Sequence, residues 1–260
     1  MKKLLLVCSL FALLSSCGSH EKKGFNVNSN SPEENGKKDL SAAANDSTVF
    51  LSRPNGILIT GYSNHRLVPI YKLNTKESRG KIRYYTGSNS FHRTYSGAGR
   101  NDSNNWHNNY MPGFEAMYGY NLVNVEHHHS QSKESTALFE EPILIKTVYY
   151  PSYSNDTLNG MPVRRDYYMI SVYDENTNKD QFLNTDDLRR FYLFDLNGQN
   201  RTALVPKNYS VKSSQYDAAN DYMYVYAVLD ENNNGVAEET EAVHVFWIDL
   251  ANPEKRGRVY

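Results

Sequence analysis

Twelve consecutive residues, Asp230-Glu231-Asn232-Asn233-Asn234-Gly235-Val236-Ala237-Glu238-Glu239-Thr240-Glu241, carry the densest chemistry in the chain. Alternate residues of a tight loop turn inward, so oxygens from Asp230, Asn232 and Asn234 can converge. Gly235 then takes the sharp bend and Val236 offers its backbone carbonyl. Glu238 can ligate directly or through water, and Glu241 can close the shell with both carboxylate oxygens. An all-oxygen set at this spacing suits a hard divalent cation, Ca2+, in a structural role. The competing reading is an Asn-rich turn with a solvated acidic rim, since Asn favours turns with no metal at all. A poorer copy lies upstream, with Asn176, Asn178, Asp180, the Phe182 carbonyl, Asn184 and Asp187 at the same offsets. Its first position is Asn where a carboxylate is expected, and Gln181 stands where the bend calls for Gly. Asp174 offers a carboxylate to a shifted register.

Other candidates are weaker. Among 8 His, the run His127-His128-His129 follows Glu126. On a strand, His127 and His129 would share a face as two thirds of a zinc site. No third ligand has diagnostic spacing, so the favoured reading is a polar turn, with His65, His92 and His107 in loops. Trp106 and Tyr110 sit among Asn, Gly and His in a Tyr-rich segment. Aromatic faces beside amides suit sugar rings, and the same aromatics also suit a loop tucked into a core. No nucleophile elbow, zinc-protease helix, phosphate-binding loop or dinucleotide fingerprint occurs.

The elements that must position these residues read as strands. With 21 Tyr and 10 Phe in 260 residues, the composition favours a pleated, half-buried surface. Runs such as Ile57 to Thr60, Ile143 to Tyr150, Tyr167 to Tyr173, Tyr222 to Leu229 and Val243 to Leu250 are bounded by Asn, Gly, Pro and Asp. No apolar period of 3.6 residues persists over helical length outside the first residues. Both calcium-loop candidates fall between such strands, which makes them hairpin clamps. Strand ends at Leu73, Val125, Leu196 and Leu250 recur at about 50 to 70 residues, a weak internal repeat. The segments Phe191 to Asn200, Tyr222 to Leu229 and Phe246 to Leu250 resemble the outer hairpins of TolB-type and WD-like β-propeller blades. They also resemble lipoproteins of Bacteroidota that carry EF-hand-like calcium loops in such hairpins. The resemblance implies an all-β, propeller-like array of antiparallel sheets with about four repeats, complete or incomplete. A β-sandwich is the alternative.

The N-terminus is an address. Met1-Lys2-Lys3 is basic, Leu4 to Leu14 is apolar apart from Ser9, and Leu14-Ser15-Ser16-Cys17 resembles the bacterial lipobox. That resemblance implies that residues 1–16 are a lipoprotein signal peptide and that Cys17 carries lipid as the mature N-terminus. With Cys8 removed in the signal, none of the 2 Cys is left for a disulfide or a zinc-thiolate site. Residues 17–47 read as a lipidated cysteine and a disordered linker spanning ~30 Å, and residues 48–260 as the folded domain. Gly18 lacks the Asp that retains enteric lipoproteins in the inner membrane, so the resemblance places the protein at the outer membrane.

Lys and Arg total 28 against 29 Asp and Glu, a net charge of -1 that argues against nucleic acid as a partner. The leading reading is a calcium-stabilised, lipid-anchored cell-envelope module that binds or scaffolds, with the membrane as one partner and a glycan or envelope protein as another. The rival is an envelope hydrolase acting on glycans through paired carboxylates. No catalytic residue can be named, and the balance leans away from an enzyme.

Overall fold

The computed structural model describes residues 24–26, 50–86, 90–92, 111–119 and 121–260. Cys17, Trp106 and Tyr110 lie outside them. The described chain is all-β, with no helix. Its strands run β1 (Gly24–Asn26), β2 (Ser52–Pro54), β3 (Leu58–Ile59), β4 (His65–Lys72), β5 (Asn74–Ser78), β6 (Lys81–Tyr85), β7 (Ser90–His92), β8 (Phe114–Tyr118) and β9 (Leu122–His129). They continue through β10 (Ser135–Ala137), β11 (Leu144–Pro151), β12 (Thr157–Leu158), β13 (Met161–Pro162), β14 (Tyr167–Tyr173), β15 (Phe182–Asn184) and β16 (Arg190–Asp195). The last are β17 (Thr202–Ala203), β18 (Tyr209–Asp217), β19 (Tyr222–Leu229), β20 (Val243–Asp249) and β21 (Arg256–Arg258).

Three antiparallel sheets carry most of the structure. The first has the order β10-β9-β4-β2, with β3 also on β4; the central one runs β17-β16-β14-β11-β8-β7; the last is the meander β18-β19-β20-β21. The central sheet is buried on both faces because its strands are apolar at both parities. In β14 every residue is buried. Tyr168, Ile170 and Val172 point into one core, shared with Leu67, Tyr71, Leu122 and Val125 of the first sheet. Tyr167 and Met169 point into the other, shared with Met223, Val225, Phe246 and Ile248 of the last sheet. The period of two that makes a strand therefore sorts one sequence into two cores and stacks three layers.

A buried clasp fastens the last two layers. Arg165, 3% exposed, forks onto Asp221 through Nη2–Oδ1 at 2.7 Å and Nη1–Oδ2 at 2.9 Å. Arg165 Nη1 and the Tyr167 hydroxyl both donate to the Leu250 carbonyl, each at 2.7 Å. Every donor there meets an acceptor, which is what makes burial of the charge tolerable.

Two expectations are corrected. The histidine run is no turn: β9 extends through His129, and the chain reverses only afterwards, at 130–134. His65 opens β4 and His92 ends β7, so neither lies in a loop. The stretch read as disordered also contains a strand. Gly24–Asn26 pairs antiparallel with Phe182–Asn184, and Phe25 is 8% exposed against Phe50, ring centroids 4.7 Å apart.

Candidate functional site

The two twelve-residue segments are turns between neighbouring antiparallel strands, Asn176 to Asp187 between β14 and β16 and Asp230 to Glu241 between β19 and β20. In the second, both Asp230 oxygens accept backbone N–H groups, Oδ1 from Asn234 at 3.1 Å and Oδ2 from Gly235 at 3.0 Å. Asn232 Oδ1 accepts from Asn234 N at 2.8 Å, and Asn234 Oδ1 from Val236 N at 2.8 Å. Glu241 reaches back across the loop, Oε1 to Glu231 N and Oε2 to Glu238 N, both 2.9 Å. The side-chain amides of Asn232 and Asn234 both donate to Glu238, at 3.4 and 2.9 Å, so the side chains at the third, fifth and ninth positions touch. Asp230 and Glu241 are buried, at 6% and 9% exposure.

The upstream segment repeats this wiring. Asn178 Oδ1 accepts from Asp180 N at 3.0 Å, and Asp180 Oδ1 from Phe182 N at 2.9 Å. Asp187 reaches back to Thr177 N at 2.7 Å and Asn184 N at 2.9 Å, as Glu241 does to its own second and ninth positions. The backbone agrees. The fourth and sixth residues of each loop are left-handed, Lys179 (φ 59°) and Gln181 (φ 75°) in one, Asn233 (φ 57°) and Gly235 (φ 77°) in the other. Gln181 thus adopts the bend that its side chain disfavours, and Asn176 is the first residue of the register. Asp174 lies outside it, accepting the Tyr192 hydroxyl at 2.7 Å.

One difference bears on what the loops hold. Where Asp230 has two N–H partners, Asn176 Oδ1 is buried and has none. A buried acceptor without a donor costs about 1–3 kcal/mol, and a cation would satisfy it. Burial also pushes the Asp187 carboxyl above the usual carboxylate range, against the N–H donors of Asn184, Asn178 and Thr177. Carboxylate and amide oxygens have two lone pairs, so a backbone contact leaves one for an ion. These donors fit Ca2+ better than zinc, being oxygens throughout. Among the described residues no group of three or more His, Cys, Asp or Glu side chains is placed to hold a metal. Any ion here therefore depends on the Asn amides and on the carbonyls of Phe182 and Val236.

The loops dock on each other, which their spacing did not foretell. Thr177 Oγ1 donates to the Gly235 carbonyl at 2.6 Å and accepts from Leu188 N at 2.9 Å. A Cβ on Gly235 would stand 1.9 Å from the Thr177 carbonyl oxygen. Glycine is needed there twice over, for its φ and for the approach of a second backbone. β15 supplies the seventh to ninth positions of the upstream loop, so β1 is clipped onto that loop's edge.

The histidines form a second cluster. His65 Nδ1 and His127 Nε2 are 2.9 Å apart and share one proton, while the His65 and His129 rings lie 5.3 Å apart. His127 is 6% exposed; burial first, then His65 and His129, pull it down to about 4. The sequence placed His127 and His129 on one face but gave no sign that His65, on the neighbouring strand, completes the group. Elsewhere, Glu115 accepts the Tyr150 hydroxyl at 2.7 Å beside a groove of about 410 Å³ rimmed by Ile57, Ile59 and Tyr153. It is the one carboxylate among the described residues lining that groove, where a glycoside hydrolase needs two.

No protein-family model matches the chain, and no curated protein matches it.

Proposed function

We propose that the protein is an exported bacterial envelope lipoprotein, anchored through lipid on Cys17, whose β-repeat domain is stabilised by Ca2+ and serves as a binding or scaffold module. The observation that carries the calcium reading is the shared wiring of the two loops. Unrelated turns have no reason to place left-handed residues at the same two positions and to bind the same second and ninth N–H groups with the twelfth side chain. Asp230, Asn232, Asn234, Val236, Glu238 and Glu241 would hold one ion. Asn176, Asn178, Asp180, Phe182, Asn184 and Asp187 would hold another, more weakly, because they carry two carboxylates against three. The ion supplies charge neutralisation and cross-linking, fixing the register of two hairpins on adjacent sheets. The repeat reading draws on the β18-β19-β20-β21 meander, the one four-stranded sheet of blade form among the described residues.

The anchor and the loops are connected. With β1 clipped to the upstream loop, the chain between Cys17 and Gly24 spans at most ~25 Å. A lipid on Cys17 would hold that face of the domain close to the membrane surface, rather than on the long tether that thirty disordered residues would provide.

The test is a thermal melt of the full chain in detergent with Ca2+ and then with chelator. An ion at a hundred times its dissociation constant adds ~2.7 kcal/mol. Glu241→Gln should remove most of that shift, and identical curves in Ca2+ and chelator would overturn the calcium reading. Mass spectrometry of the mature N-terminal peptide should find diacylglycerol on Cys17; an unmodified thiol there would overturn the anchor.

A further inference from the structure

Between the central and last sheets lies a cavity of about 220 Å³. Two buried polar atoms without a hydrogen-bond partner, Ser171 Oγ and Arg189 Nε, belong to residues that line it. Ser171 is 6% exposed, in the middle of β14, opposite Thr147 of β11 and Phe191 of β16. Arg189 precedes β16. Its Nη2 donates to the Lys212 carbonyl, and among the described residues no carboxylate lies within ion-pair distance of it. Burial holds Arg189 below the usual guanidinium range, the hydroxyls of Tyr173 and Tyr149 being the partners that oppose this.

Two strands that border the cavity are irregular. The β11–β14 register shifts between Ile145 and Thr147, leaving Lys146 as the extra residue of a bulge. The β18–β19 register shifts between Val211 and Ser213, leaving Lys212 as another. These two bulges, on different sheets, each place a lysine on the lining of one cavity, Lys212 being exposed with its Nζ donating to the Ala237 carbonyl at 3.4 Å. No acidic residue lines it. Asp186 and Asp187 line only the adjoining hollow, and Asp187 is already engaged by its own loop. Tyr149 and Phe191, both buried, are aromatic parts of a lining that also carries Thr147, Ser213 and Ser214.

We propose that this cavity binds a small molecule bearing a carboxylate, held by the Nε edge of Arg189 and the hydroxyl of Ser171, with Lys146 and Lys212 lending charge at its sides. The Arg189 Nε–H is a charge-assisted donor for one carboxylate oxygen, Nη2 being given to the Lys212 carbonyl, and the Ser171 hydroxyl can donate to the other. The aromatic walls take the ring or chain that carries the acid. The volume suits something of monosaccharide or amino-acid size. The inference is independent of the calcium loops and of the anchor.

The experiment is calorimetric titration of the full chain, in low salt, with sodium D-glucuronate and with sodium benzoate. D-glucose serves as the uncharged control and inorganic phosphate as the tetrahedral one. Saturable binding of either carboxylate is expected, weakened at least tenfold by Arg189→Gln and severalfold by Ser171→Ala. Ser171→Ala removes a hydroxyl that bonds to nothing, so the ligand-free variant should melt with the wild type. It keeps the test decisive even where Arg189→Gln fails to fold. Absence of binding by both carboxylates, binding of phosphate alone, or carboxylate binding that neither variant weakens would overturn the proposal. A Ser171→Ala protein that melts early would do so too, because the hydroxyl would then be structural.

Discussion

Gly235→Ala tests whether the two loops are docked as described. Its cost has two separable parts. A residue with a Cβ at φ 77° gives up about 1–2 kcal/mol relative to its preferred backbone. The second part is collision: the new Cβ would lie 1.9 Å from the Thr177 carbonyl oxygen and 2.8 Å from Asn178 N. Both are backbone atoms with no rotamer to escape into. The loops must separate, and the Thr177–Gly235 hydrogen bond, worth about 1 kcal/mol, goes with the contact. The sum is about 2–4 kcal/mol, a fall in Tm of roughly 4–16 °C for a domain of this size. Gly160→Ala isolates the first part. Gly160 has φ 78° but nothing within 4 Å of its Cβ position, so it should lose only about 1–2 kcal/mol. Gln181→Gly completes the set with the opposite sign. It relieves the same left-handed strain at φ 75° and gives back about 0.5–1 kcal/mol in chain entropy, for a gain of roughly 0.5–1 kcal/mol. Urea unfolding followed by tryptophan fluorescence, with equal m-values, reads all three. Equal losses at Gly235 and Gly160 would refute the docking.

Two further outcomes follow from buried side chains. His127 titrates near 6.5 in the unfolded chain but at about 4 in the fold, so between those values the unfolded state binds more protons. Stability is therefore full above pH 6.5 and is lost as the pH falls through about 4, by up to about 3 kcal/mol. Urea midpoints between pH 7 and pH 4.5 should show this slope in the wild type and a shallower one in His127→Gln; equal slopes would count against the histidine cluster as the acid-sensitive element. Phe25→Ala should cost about 3 kcal/mol if β1 is packed as described. A Tm within a degree of wild type would mean that this strand contributes nothing to the fold.

What could be read in the sequence was local, and what could not was long-range. Tyr167–Tyr173 and Tyr222–Leu229 stand where alternation and β-branched or aromatic content put them, because those signals are carried within a few residues. Sheet order has no such carrier. The central sheet joins Phe91 to Ala203 through four intervening strands, and nothing near either residue names its neighbour. His65 and His127 are 62 residues apart, so their shared proton was invisible. The loop at Asn176 shows a different failure. Gln at the bend argued against the register on propensity, yet tertiary contacts override a preference of one or two kcal/mol, and the chain follows the path of Gly235. Phe25 was legible in principle as one of few large apolar residues in a polar stretch. Composition averaged it away.

The seam between the central and last sheets offers its own comparison for the carboxylate site, because it contains two arginines that are paired differently. Arg165 shows how this fold buries a guanidinium for structure: a bidentate carboxylate and two backbone carbonyls account for its donors. Arg189 is only half-buried in that seam, with no carboxylate within ion-pair distance among the described residues, a buried Nε–H that bonds to nothing, and two lysines on the same lining. Even a half-buried charge is disfavoured without its counterion, and a neutral residue of similar size would pack there without that penalty. Stability alone therefore accounts for Arg165 and not for Arg189. A small acid has the size and sign to pair with it, and the unbonded Ser171 hydroxyl on the lining of the same cavity is a second donor.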